Sequence, residues 1–199
     1  VLFDDSLVEI KTYEQSALPT DTPTFKKWFG KSKVVDESGK PLVVYHGTTA
    51  SFDAFDPNRS GDIGMHFGTA AQAERAMSPL GKVPDGGNVM PVYLKIENPL
   101  RVKDQFSTLR TRYIARAKAL VLETPNLHWE QADRDRLFAL AKEADKYRTK
   151  LGGEWGAATS KDAVTRGRLE DTDRAFWYVL QGAIEKAGFD GLVYSNKVE

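Results

Sequence analysis

Pro41-Leu42-Val43-Val44-Tyr45-His46-Gly47-Thr48 is a short apolar, β-branched run that closes on a histidine and a glycine. Val43, Val44 and Tyr45 favour a pleated, half-buried strand. Gly47 leaves room for another backbone or a ligand to come close. Gly64-Met65-His66-Phe67-Gly68 has the same build, a histidine in a strand-like segment flanked by glycine. Two of the chain's three histidines therefore fall in two similar segments. A lone histidine is ordinarily a hydrogen-bonded structural residue, but one at a strand end beside glycine is placed to meet a ligand. A neutral imidazole can donate to a hydroxyl, and the Gly47 main chain offers N–H and C=O groups to an amide. His66 has a competing reading, as a solvent-facing strand residue whose neighbours Met65 and Phe67 face the core.

Glu37-Ser38-Gly39-Lys40, set between Lys33–Asp36 and Leu42–Tyr45, reads as the turn of a hairpin. Before it, Thr24 to Phe29 predicts a short amphipathic helix closed by Gly30. Residues 50–62, rich in Asp, Asn, Ser, Pro and Gly, predict a loop, and Thr69 to Met77 a helix with Thr69 as its N-cap. After a second loop over 78–88, Val89 to Ile96 alternates as a strand, stopped by Asn98-Pro99. The pattern then turns helical from about 104 to 149, with Leu109, Tyr113, Ala117 and Leu120, and then Leu137, Leu140 and Ala144, at spacings of three and four. Gly152 to Arg168 reads as a connection, Asp171 to Ala187 as a helix capped by Gly188, and Phe189 to Tyr194 as a last strand. Val1 to Ile10 reads as a strand and residues 11–23 as a polar linker. Strands around a helical block make an α+β chain. The expected organisation is an N-terminal strand and linker over 1–23 and one domain over 24–199, with a helical insertion at about 104–175.

Composition excludes several classes. The 199 residues carry 28 Lys and Arg against 28 Asp and Glu, so the zero net charge gives no global case for binding nucleic acid or an anionic membrane. One local basic run, Arg101, Lys103, Arg110, Arg112, Arg116 and Lys118 with Asp104 as its one acid, reads either as a solvated helix face or as a patch for nucleic acid or an acidic protein. At 41% hydrophobic and 28% charged the chain is an ordinary globular one, long enough to bury a core without staples. The absence of cysteine excludes disulfides, thiolate nucleophiles and Cys-ligated metals, and fits a reducing compartment. His128 has no ligand-spaced partner, so no metal site is expected. There is no Gly-x-Gly-x-x-Gly or P-loop motif, and no apolar run approaches the roughly 18 residues of a membrane span. The N-terminus has neither a basic n-region nor an initiator Met, so it is not a signal peptide, and the chain is expected to be a domain of something longer.

Five segments in order carry a resemblance. They are Phe25 to Lys33 (Phe-x-x-Trp-Phe-Gly-x-Ser-Lys), Tyr45-His46-Gly47-Thr48, Gly64-Met65-His66-Phe67 running into an Ala-rich helix, Pro91 to Leu100 (Pro-Val-Tyr-Leu-Lys-Ile-Glu-Asn-Pro-Leu), and Gly188 to Tyr194 (Gly-Phe-Asp-Gly-Leu-Val-Tyr). Together they resemble the His-Tyr-Glu branch of ADP-ribosyltransferases, above all the modules found in phage and mobile-element polyvalent proteins. The resemblance covers residues 24–100 and 176–199.

It implies an ADP-ribosyltransferase-like split β-sheet core around an NAD cleft, with a helical insertion. It also implies an NAD-dependent mono-ADP-ribosyltransferase that uses NAD as substrate, releases nicotinamide and needs no metal. His46 would be catalytic and hydrogen-bond the nicotinamide ribose, while Gly47 would bind the carboxamide through its backbone. Thr48 and Phe67 would complete the donor site, and Arg59 and Ser60 would lie in a loop over it. His66 stands where the family usually has a tyrosine that stacks on nicotinamide. The family's catalytic glutamate is either Glu199 or lies outside this chain. Val1–Ile10 looks like the family's terminal strand moved to the front: the tail of an upstream module, a permutation that completes the sheet and allows strand exchange, or an unrelated strand.

The implied partner is a protein acceptor, with nucleic acid as the alternative and no membrane. The implied setting is the cytoplasm of a bacterial host or of a target cell, as for an effector or toxin. Two rivals stand beside this reading. One is a degenerate module that binds NAD, ADP-ribose or a partner protein without catalysis. The other is an RNA 2′-phosphotransferase, which needs basic residues lining its cleft.

Overall fold

Residues 20–50, 52, 54–56, 63–77, 86–102 and 129–194 are described by the structure, a computed structural model. They fall into two compact units, one mixed and one helical.

The mixed unit begins with α1, Pro23–Phe29. Thr22 caps it by accepting from the Phe25 N–H at 3.1 Å, Pro23 opens it, and the chain leaves it at Gly30. A threonine cap of this kind stabilises a helix by about 0.5–2 kcal/mol. The helix seats Phe29 in the core, and Phe25 meets Tyr93 edge to face with centroids 5.0 Å apart. The expected hairpin follows, held by one bridge, Val35 to Pro41, rather than by two strands. Asp36 explains the tightness of its turn: one carboxylate oxygen accepts from the Ser38 hydroxyl and from the N–H groups of Ser38 and Lys40, all within 2.9 Å. These bonds, the Ser38 hydroxyl first, hold the Asp36 carboxyl below the usual carboxylate range.

β1, Val44–Thr48, pairs antiparallel with β2, Asn88–Val92, with His46 opposite Met90 and Tyr45 opposite Pro91. Proline is tolerated there because Tyr45 sends its N–H and C=O the other way, to Gly68, at 2.8 and 3.0 Å. Antiparallel pairing alternates between bonded and non-bonded pairs, and Pro91 occupies a non-bonded one.

Sequence and structure part company in two places here. β2 ends at Val92, not Ile96, because the next residues pair with another segment: the Ser32 hydroxyl donates to Leu94 C=O (2.8 Å) and accepts from Ile96 N–H (3.2 Å), while Lys33 N–H donates to Ile96 C=O (2.7 Å). Asn98-Pro99 does not end the extended structure either. Pro99 opens β3, Pro99–Val102, where a missing N–H is harmless at the first position. β3 pairs with β4, Gly191–Tyr194, in a second two-stranded sheet. Asp190 fastens the start of β4, its two oxygens accepting from Glu97 and Asn98 N–H at 2.7 and 2.8 Å.

α2, Ala70–Met77, begins with a reciprocal cap. Thr69 Oγ1 accepts from Gln72 N–H (3.1 Å) while Gln72 Oε1 accepts from Thr69 N–H (2.9 Å).

The helical unit holds α3, Gln131–Lys150, α4, Gly153–Thr159, and α5, Ala163–Lys186. The expected connection over Gly152–Arg168 is instead α4 and the start of α5. Its glycines lower local helix propensity. The Asp162 cap outweighs that, accepting from Thr165 N–H at 3.0 Å, and burial of Thr165 and Leu169 adds to it. α3 and α5 run antiparallel. Lys186 reaches Asp133 at 2.9 Å at one end, and Lys150 donates to Thr165 at 2.7 Å at the other. α5 runs unbroken through residue 175 and ends as expected, with Gly188 and Phe189 N–H groups returning to the Glu185 and Ile184 carbonyls.

The overall composition of elements is α+β, as expected. Val1–Ile10 and residues 104–128 lie outside the described residues, and with them the expected N-terminal strand and half of the expected helical block. Among the described residues no helix is long and apolar enough to cross a membrane.

Candidate functional site

Strand alternation puts Tyr45 and Gly47 on one face of β1 and Val44, His46 and Thr48 on the other. α2 lies tight against the first face. A Cβ on Gly47 would overlap the Ala73 carbonyl group, coming within 2.7 Å of its carbon. Gly47 is therefore required by helix–strand packing. The sequence had suggested room for a ligand, but on this side the room is taken by α2. The other face is left to His46.

The half-buried His46 ring stands among three phenyl rings. Phe55 meets it edge to face, with centroids 5.2 Å apart and planes 83° apart; Phe67 lies at 5.6 Å and Phe52 at 6.4 Å. Phe55 also packs on Phe52 (5.1 Å) and on Phe67 (5.5 Å), so the cluster is continuous. Each such ring pair adds about 0.5–1.5 kcal/mol beyond area burial. Together they set the plane of the imidazole.

Its protonation pattern is set by His66. His46 Nδ1 lies 2.8 Å from the His66 carbonyl oxygen. A carbonyl only accepts, so Nδ1 carries the proton, and in the neutral ring Nε2 is an acceptor. This revises the sequence expectation: neutral His46 takes a hydrogen bond from a hydroxyl at Nε2 and gives one only when charged.

The His66 segment is not a strand. Residues 65–67 form no ladder with β1; the backbone bridge between the two stretches is one residue further on, Tyr45 to Gly68. The chain cannot run further along β1 because it turns at once into α2, and a Cβ on Gly68 would overlap the Gln72 side chain that closes the helix cap. His66 is exposed, Met65 and Phe67 are half-buried, and the His66 ring is met by Tyr194 of β4, whose hydroxyl lies 3.1 Å from Nδ1. Thr48 is half-buried at the end of β1, where its hydroxyl accepts from Ala50 N–H at 3.0 Å.

The structure thus brings together His46, Gly47, Thr48, His66 and Phe67 from two separate stretches. Arg59, Ser60 and Glu199 lie outside the described residues, as does His128, and among those described no cluster of His, Asp and Glu could hold a metal ion. Sequence reading placed Phe52 and Phe55 in the loop over the donor without giving either a role, and it missed Tyr194 as a member of this group. The Phe-x-x-Phe spacing in an otherwise polar loop was a usable signal for the first two. Nothing in the sequence links Tyr194 to a residue 128 positions earlier.

The family described as ADP-ribosyltransferase in polyvalent proteins matches residues 36–195, well over half of the chain. The chain belongs to that family. Its chemistry is the transfer of ADP-ribose. As an ADP-ribosyltransferase module of a polyvalent protein, the chain has the His46 and His66 segments, both two-stranded sheets and the whole helical unit inside the matched span, whereas α1 and Glu199 fall outside it. No curated protein and no solved structure matches the chain.

Proposed function

We propose that this ADP-ribosyltransferase module cleaves NAD and transfers ADP-ribose to a protein acceptor. The observation that carries the reading is the hydrogen bond from His46 Nδ1 to the His66 carbonyl, which joins the two family motifs and leaves Nε2 as an acceptor for a ribose hydroxyl. In the reaction, the bond between nicotinamide nitrogen and ribose C1′ breaks, and its electron pair leaves with nicotinamide, which becomes neutral. The acceptor nucleophile then bonds to C1′ and loses its proton. His46 positions the ribose, Gly47 holds the carboxamide through its main chain, and His66 lies along the nicotinamide ring. Thr48 and Phe67 line the same donor site, and Arg59 and Ser60 meet the pyrophosphate. Glu199 supplies fixed negative charge to the oxocarbenium-like transition state. Phe52, Phe55 and Phe67 hold the imidazole and keep water from the ribose. The acceptor's setting is the cytoplasm of a bacterial host or a target cell, as for an effector; nucleic acid is the alternative acceptor.

One observation favours a second reading. His66, in the place of the family's usual tyrosine, offers a smaller stacking face, which suits a module that binds NAD or ADP-ribose without transfer. Incubation with NAD labelled in the nicotinamide and in the adenosine part separates the two. Release of nicotinamide, with adenosine label on protein, supports transfer. Binding without release supports the second reading. His46→Ala should abolish release and weaken NAD binding about tenfold, as for loss of a hydrogen bond worth up to about 1.5 kcal/mol. Unchanged turnover in that variant would sink the assignment.

A further inference from the structure

We infer that Tyr194 is a positioning residue of the donor site, which fixes the His66 imidazole in one orientation and one protonation pattern so that it discriminates NAD from released nicotinamide. The inference rests on the proposed use of NAD.

His66 has an exposed ring on a segment that is not a strand, so no pleat sets its direction. Its backbone carbonyl is taken by His46 Nδ1 at 2.8 Å. Its ring is met by Tyr194, hydroxyl to Nδ1 at 3.1 Å, with centroids 6.5 Å apart and planes 75° apart. Tyr194 itself stands on a fixed element. β4 pairs with β3, Asp190 fastens its start to Glu97 and Asn98, and Gly191 packs directly against the Ile96 side chain. One residue, His66, therefore links the two ends of the site: its main chain sets the tautomer of His46, and its side chain takes its own setting from β4.

The direction of the second bond follows from chemistry. A phenol is the more acidic donor and an imidazole nitrogen the more basic acceptor, so the Tyr194 hydroxyl donates and His66 Nδ1 accepts. The neutral ring then carries its proton on Nε2. A neutral imidazole presents a π face, which attracts the cationic pyridinium ring of NAD more strongly than the uncharged ring of nicotinamide. The donor is held and the leaving group is let go.

The test is a double-mutant cycle on the full chain with Tyr194→Phe and His66→Phe, reading NAD and nicotinamide affinities by calorimetry, KM and kcat for nicotinamide release, and the His66 ring tautomer by nitrogen-15 NMR. Expected are a roughly three- to ten-fold loss of NAD affinity in Tyr194→Phe, a raised KM with kcat little changed, unaltered nicotinamide affinity, and loss of the single Nε2–H tautomer at His66. In the His66→Phe background, Tyr194→Phe should change nothing, because the acceptor it acts through is gone. Equal losses in both backgrounds, or a lowered melting temperature with unchanged NAD affinity, would make Tyr194 merely structural and overturn the inference while the transferase reading stands. A wild-type chain that binds no NAD overturns both.

Discussion

The two units hold themselves together differently. The helical unit is built from one apolar stripe on each of two long helices. Leu137, Leu140 and Ala144 of α3 and Phe176, Leu180 and Ile184 of α5 are buried. The mixed unit, among its described residues, buries few large side chains: Phe29, Val44 and Leu100. It relies on backbone groups tied down singly, by Ser32, by Asp190, by the Thr69–Gln72 cap, and by the direct approach of α2 to Gly47. Burial is tolerant of exchange among apolar side chains of similar size. A single hydrogen-bond clamp or a backbone contact with no Cβ is not. The unit that carries the candidate chemistry is the one with little redundancy, and positions held to fractions of an ångström are what a reacting site needs.

The sharpest way to test this contrast is Phe176→Ala. Phe176 is fully buried, so the change should cost about 3–5 kcal/mol of stability, read as a lowered denaturant midpoint. NAD affinity of the folded protein should stay as it was. A change in that affinity would break the contrast.

Gly47→Ala comes next. The new methyl would overlap the Ala73 carbonyl group, which is backbone and cannot turn aside. A cost of about 3 kcal/mol is expected, with loss of NAD binding, because β1 carries His46. If calorimetry finds wild-type affinity, the close approach is not what aligns the site.

Ser32→Ala removes a hydroxyl that serves Leu94, Val34 and Ile96 at once. A loss of about 1–2 kcal/mol is expected, with faster amide exchange over residues 94–96. Unchanged exchange there would mean that the clamp is redundant after all.

The smallest effect is one of pH. Asp162 lies below the ordinary carboxylate range, through its bond from Thr165 N–H first and the Thr165 hydroxyl second. The unfolded chain binds the proton more readily, so this stabilisation is complete above the ordinary aspartate range and is lost as pH falls through the folded value. Asp162→Asn, which keeps a capping oxygen, should flatten the acid limb of the stability curve. The same slope in both proteins would show that Asp162 contributes no pH dependence.

How much of this was legible beforehand varies by element. α1, α2 and the end of α5 were readable because their signals are local: a cap within three residues, a stripe of apolar side chains, a glycine at the exit. β3 and the first turns of α5 were misread for the complementary reason. Pro99 and the glycines near 152–167 argue locally against regular structure, and only a distant partner overrides them. β4 supplies one for β3, and burial of Leu169 supplies one for α5. In the site, His46 and His66 stood out by residue type and by their place beside glycine. Their relation did not, since it runs through a main-chain carbonyl that any residue possesses.

By itself the sequence determined the α+β composition, the family, and the two histidine segments, because each is written in residue types at short spacing. The tertiary structure alone decided which nitrogen of His46 carries the proton, that α2 fills the space a side chain at Gly47 would need, and that Tyr194 meets His66. All three depend on distances between residues far apart in the chain. Such distances come from how strands pair and helices pack, and no local pattern encodes them.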